Sequence, residues 1–194
     1  MIPAPPGTGP WSWPAVRADR AVASVGAVGN DRLQSDRQRR TIDRLARWLT
    51  RTHGAEPGWD ALVLDVLSVG RDVRLQVREV RGGTTTSHAV DVTGRRSRPR
   101  RLVRALQEDY ADLVDGTWLS ATLIVTVSGR RWAHPGVELI LDYDDEPLLP
   151  AHAPHPVAAE EYRRHLARHR RMDRRIPGWL RERVAGAGLE VPER

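Results

Sequence analysis

The chain has 194 residues and a formal net charge of +6, all of its lysine-plus-arginine count is arginine, and it contains no phenylalanine and no cysteine. That length accommodates one domain of ordinary size, and the lack of cysteine excludes disulfides, thiolate metal sites and cysteine nucleophiles. No apolar run approaches the roughly 18 to 20 residues that a membrane span needs, so a soluble cytoplasmic protein with no membrane partner is expected. The missing lysine has two readings, the coding bias of a high-GC genome, which is the simpler, and selection for arginine chemistry. The remaining arginines still offer bidentate contacts to carboxylate or phosphate.

Residues 1–34 read as a Pro/Gly/Ala-rich tail, expected to be disordered. Pro3, Pro5, Pro6, Gly7, Gly9, Pro10 and Pro14 leave no room for a periodic element, and the segment lacks the charged and apolar regions of a secretory signal. Trp11 and Trp13 fit either a docking peptide or a segment folded back on the domain. The folded domain is expected over residues 35–186, with 187–194 as a C-terminal tail.

Ser35-Asp36-Arg37-Gln38 forms a capping box, and Ile42, Leu45, Ala46 and Leu49, with Trp48 beside them, follow at helical spacing. Gly54 and Pro57-Gly58 end that helix. Trp59 to Val69 is a strongly apolar strand, turned back by Gly70-Arg71-Asp72. In the next strand Val73, Leu75 and Val77 alternate with Arg74, Gln76 and Arg78, so one face is exposed. Gly82-Gly83 supplies a tight turn into a polar edge strand over Thr84–Val92.

After an arginine-rich loop from Gly94, Pro99 opens a second helix. Its apolar face is expected to be Leu102, Leu106, Tyr110 and Leu113, and Gly116 stops it. Trp118 to Asp145 then reads as a hairpin around Ser128-Gly129. Leu119, Ala121, Leu123, Val125 and Val127 share one parity of its first strand, and Val137, Leu139, Leu141 and Tyr143 share one parity of its second. A His/Pro loop (His152, Pro154, His155, Pro156) precedes the last helix. That helix begins at Glu160-Glu161 and runs into arginines, the order that complements the helix dipole, until Pro177-Gly178 breaks it. Trp179, Leu180 and Val184 make a short closing turn. The fold class is therefore α+β: an antiparallel sheet of about five strands packed against helices, in the order α-β-β-β-α-β-β-α, as a single domain.

That order, with a helix leading into Trp118-Leu119-Ser120, a turn at Ser128-Gly129, a strand ending in Tyr143-Asp144-Asp145 and a late Trp179, resembles the YezG-type antitoxin family of bacterial immunity proteins. The resemblance covers roughly residues 36–180, and the order and spacing of these short motifs carry it. It implies a protein that neutralises a cognate toxin by binding, without catalysis. Two features depart from the family pattern. Trp132-Ala133-His134-Pro135 lengthens the approach to the second hairpin strand. The net charge is basic, whereas antidotes to nuclease toxins are usually pictured as acidic mimics of nucleic acid, which puts the kind of toxin in doubt.

The carboxylates Asp142, Asp144, Asp145 and Glu146 at the strand exit carry two readings. Grouped on one loop, they can speed association with a basic toxin and cap its cations. Equally, they can be a solvated strand end that protects an edge from aggregation. A divalent-cation site is a third reading, although one loop rarely supplies six oxygens. The expected partner-binding patch is Trp132, Glu138, Asp142, Asp144, Asp145 and Glu146. Trp118 is expected in the core, and Trp132 stands between core and exposed anchor.

The alternative is a nucleic-acid-binding domain. Arg163, Arg164, Arg168, Arg171 and Arg175 mark a basic face, joined by Arg170 and Arg174 and by a second cluster at Arg95, Arg96, Arg98, Arg100, Arg101 and Arg104. No aromatic interleaves with these arginines for base stacking, so a solvated face is the simpler reading. His165 and His169 stand four apart, as a zinc pair does, but the surrounding arginines repel a dication; neither metal nor cofactor is expected. Gly82-Gly83-Thr84-Thr85-Thr86 lacks the lysine and the following helix of a phosphate loop. Ser120, His134 and Asp142 have no spacing that supports a triad, and no catalytic residues are expected.

Overall fold

A computed structural model describes residues 35–94, 97–112, 114–127, 136–147 and 155–192. Helix α1 (Asp36–His53) is followed by strands β1 (Ala61–Val69), β2 (Asp72–Arg81) and β3 (Thr84–Val90). Helix α2 (Arg98–Asp109), strands β4 (Ser120–Thr126) and β5 (Gly136–Asp142), and helices α3 (Ala159–Arg168) and α4 (Gly178–Ala185) complete the described elements. The five strands form one antiparallel sheet in the order β3-β2-β1-β4-β5. The α+β expectation, its element order and its single sheet hold. The tail over 1–34, the Ser128-Gly129 turn and Trp132 lie outside the described residues. Among the described residues no helix is long and apolar enough to cross a membrane.

Burial explains the strand patterns. Central β1 is flanked on both sides and largely covered on both faces, so it reads as an almost unbroken apolar run interrupted by Asp65 and Ser68. On one face Leu62, Leu64 and Val66 of β1, Leu75 and Val77 of β2 and Leu123 and Val125 of β4 meet Leu45, Leu49 and Trp48 of α1 and Leu106 of α2. On the other face, Leu67, Val69 and Leu119 form a second cluster with Tyr162 and Leu166 of α3 and Leu180 and Val184 of α4. The polar edge expected after Gly82-Gly83 is β3, whose residues Thr84 to Ala89 are all exposed.

The capping box forms as its sequence implies. The Ser35 hydroxyl accepts the Gln38 N–H at 3.2 Å, and the Ser35 N–H donates to Gln38 Oε1 at 2.8 Å.

Three expectations change. Helix α2 ends at Asp109, and its fully buried positions are Val103, Leu106 and Gln107, while Leu102 is only half-buried. The last helix is shorter than expected: α3 stops at Arg168, a 3-10 turn spans Asp173–Arg175, and Trp179, Leu180 and Val184 belong to a true two-turn helix. Within the expected C-terminal tail, Leu189 and Val191 pack on the second cluster.

Candidate functional site

The acidic loop at the end of β5 is built by its own aspartate. Asp142 Oδ1 accepts the backbone N–H groups of Asp144 (3.2 Å) and Asp145 (3.0 Å), a local turn that aspartate favours. The Asp142 carbonyl also accepts from Leu119 N–H at 2.9 Å, tying the turn to the start of β4. Three side chains from the C-terminal part of the chain then grip the loop. Arg171 reaches Asp144 Oδ1 at 3.4 Å, the Trp179 indole N–H donates to the Asp144 carbonyl at 2.6 Å, and Arg183 pairs with Glu146. Trp179 is itself held edge-to-face by Tyr162, with ring centroids 5.6 Å apart.

The loop is therefore stiff, and it is less negative than its sequence suggests. Asp144 and Glu146 each face an arginine, while Asp145 makes no ion pair among the described residues. Glu138 is exposed on β5, on the same strand face as Asp142, and likewise makes no ion pair among the described residues. Two concavities border this acidic margin. A hollow of about 200 Å³ is lined by Ile124, Thr126, Gly136, Val137 and Glu138, and Val137 is 40% exposed beside it. A broader groove of about 650 Å³ runs from Glu146 along Trp179, Glu182 and Arg183 to Val157.

Behind the loop lies a buried polar layer. Arg171 is only 3% exposed, and its guanidinium donates to the Thr117 carbonyl at 2.8 Å while Asp144 closes it from the solvent side. Burial lowers the Arg171 pKa, and Asp144 and Asp115 oppose that shift. Gly116 makes room for it: a Cβ there would sit 2.6 Å from Arg171 Cγ and 2.8 Å from the His169 carbonyl oxygen. The ring centroids of His165 and His169 lie 5.3 Å apart. Burial first, then the neighbouring His169 and Arg171, push the His165 pKa well below its ordinary value. Buried Gln107 ties the layer to the sheet: its amide donates to the Ser68 (2.8 Å) and Trp118 (3.0 Å) carbonyls, and its oxygen accepts from Arg104 at 2.8 Å. Burial also lowers the Arg104 pKa to about 10, and burial raises that of Tyr143, next to the acidic loop, to about 12.

The basic face expected from the C-terminal arginines is largely neutralised from within. Arg163 pairs with Glu160 (2.7 Å), Arg164 with Glu161 (2.5 Å), Arg168 with Glu108 (2.5 Å) and Arg175 with Asp115 (3.2 Å). Arg171, expected on that solvated face, is instead the buried support of the acidic loop. The early end of α3 explains the difference: residues past His169 leave the helix, and the Met172 N–H bonds the Val114 carbonyl at 3.0 Å. Of the second cluster, Arg100 and Arg104 donate to the Arg71 and Gly70 carbonyls at 2.7 and 2.6 Å.

Of the expected patch, Asp142, Asp144, Asp145 and Glu146 come together, and Glu138 lies along the same strand. The residues that order the loop, Arg171, Trp179 and Arg183, were not identifiable from local pattern, because their partners lie 27 to 37 positions away. No group of three or more metal-binding side chains gathers among the described residues. A scan against protein-family models finds no matching family, and searches of curated proteins and of solved structures find no match.

Proposed function

We propose that this protein is an immunity protein that neutralises a cognate bacterial toxin by direct, non-catalytic binding, and that the β5 margin is the surface it uses. The observation that carries this reading is the loop over residues 142–146. It is clamped by Asp142 and by three side chains from Arg171 to Arg183, yet it leaves Asp145 exposed and without an ion pair among the described residues. A preorganised anionic loop loses little conformational entropy on binding, and it steers a basic partner electrostatically. Concavities at both ends of the margin offer places for apolar or aromatic side chains of the partner. The resemblance to YezG-type antitoxins in the Trp118-Leu119-Ser120 and Tyr143-Asp144-Asp145 motifs supports the same reading. The carboxylate-paired arginines of α3 make the nucleic-acid alternative weaker at that face.

Co-expression with the product of the gene adjacent to its own tests the proposal. Growth arrest caused by that product is expected to be relieved by the wild-type chain. The double charge reversal Glu138→Arg with Asp145→Arg should weaken complex formation at least tenfold, mainly by slowing association, while the protein stays folded. A neighbouring product that is not toxic, or rescue unaffected by the double reversal, would overturn it.

A further inference from the structure

The outward face of α1 carries a stripe of arginines that the acidic margin does not use. Arg40, Arg44, Arg47 and Arg51 follow one another at intervals of four, three and four residues. At about 3.6 residues per turn, this spacing places all four within about 60° of one another around the helix and spreads them over about 16 Å of its length. All four are exposed, and none of their guanidinium groups makes an ion pair or hydrogen bond among the described residues. Arg37, one turn earlier, is held by Asp109. Asp36 and Asp43 flank the stripe and are also exposed, so the four arginines outnumber the carboxylates beside them. This contrasts with α3, where the arginines face glutamates within ion-pair distance.

We propose that this face of α1 binds the phosphate backbone of nucleic acid without regard to sequence. A duplex carries one negative charge per about 1.7 Å of axis with both strands counted, so about 16 Å of duplex holds on the order of ten phosphates, more than one for each arginine. The face has no apolar residue to serve as the core of a protein–protein interface, because Ile42, Leu45, Ala46, Trp48 and Leu49 all point into the domain. The same burial leaves no ring for base stacking, which limits the contact to phosphate and sugar. Arginine guanidinium groups suit that contact through bidentate hydrogen bonds.

Fluorescence anisotropy of the full chain with a labelled 24-base-pair duplex, titrated from 25 to 200 mM KCl, tests this. Four phosphate contacts give an expected log–log slope no steeper than about −3.6. Two duplexes of unrelated sequence should bind within twofold of each other. The double variant Arg44→Gln with Arg47→Gln should make the slope shallower by about two. The double variant Arg163→Gln with Arg164→Gln removes the same net charge and should leave the slope unchanged. Circular dichroism melting of both variants checks that the helix persists. Equal losses in the two variants would reduce the effect to net charge and overturn the proposal. So would an absence of binding at 25 mM KCl, or tighter binding to a glutamate-rich 12-residue peptide than to the duplex, which would assign the face to an acidic protein. The toxin-rescue experiment depends on Glu138 and Asp145, so either reading can fail while the other stands.

Discussion

Gly116 adopts φ +68, in the left-handed region where side chains are strained, and it also faces backbone and side-chain atoms too near for a Cβ. Gly70 is in the same position, with φ +53 and the Glu161 backbone against it. Gly116→Ala is therefore expected to destabilise the fold by about 2 kcal/mol or more, measured by urea unfolding, and to shift the amide resonances of residues 142–146 through Arg171. A substitution with no effect on that loop would separate Gly116 from its support. At this scale the sequence was only partly legible. Gly116 was read as a helix stop, a local role that any reader of turns would assign. That it also makes way for a buried arginine from 55 positions later could not be seen, because no local pattern records which side chain will arrive from elsewhere.

Among the elements, α1 was the most legible, since its capping box and its apolar stripe are both local signals. Ser35→Ala should cost about 1 kcal/mol, read as a lower urea midpoint at unchanged slope, because it removes one of the two reciprocal hydrogen bonds at that end. The stretch after Glu160 was misread for a physical reason. Helical spacing and the dipole-favourable charge order continue to Arg175, but tertiary hydrogen bonds claim the backbone first. The Met172 N–H goes to Val114, and the Arg171 side chain turns inward to Thr117. A similar override acts on α2, where the burial of Gln107 beneath the ends of β1 and β4 carries no apolar signature. The arginine spacing on α1 is local, but which arginines of the chain find partners is decided by the assembled fold. Of the denser runs elsewhere, Arg163, Arg164, Arg168 and Arg175 meet carboxylates, while Arg100 and Arg104 donate to backbone carbonyls.

For the whole molecule, pH reports on the layer behind the acidic loop. Burial lowers the pKa of His165, His169 and His53 relative to an unfolded chain. His165 faces His169, Arg171 and Arg104; His169 faces Arg168 and Arg104, with Glu108 opposing the shift. The unfolded chain thus binds more protons between the folded and unfolded values, so this contribution is complete above the unfolded histidine value of about 6.5 and is lost progressively as pH falls from there through the lowered folded values. Asp91 and Glu160, whose pKa values are lowered by hydrogen bonds from Thr93 and Arg163, act only near and below the ordinary carboxylate range. Calorimetry between pH 7.5 and 5 should therefore show a falling melting temperature. In His165→Leu the pH slope should be shallower by up to one proton. An unchanged slope would remove His165 from the account. The α+β class and the order of elements along the chain were legible because alternation and turn residues are short-range, whereas the strand order in the sheet and the pairing of arginines with carboxylates depend on the assembled fold.

The hold that Trp179 and Arg183 exert on residues 142–146 means that the edge proposed for recognition and the closing helix share one mechanical fate. On that proposal, a lesion in α4 would blunt recognition while every carboxylate stayed in place. A partner pressing on those carboxylates would, in turn, stiffen α4. Damage to binding is then as readily sought some forty residues downstream as at the contact itself.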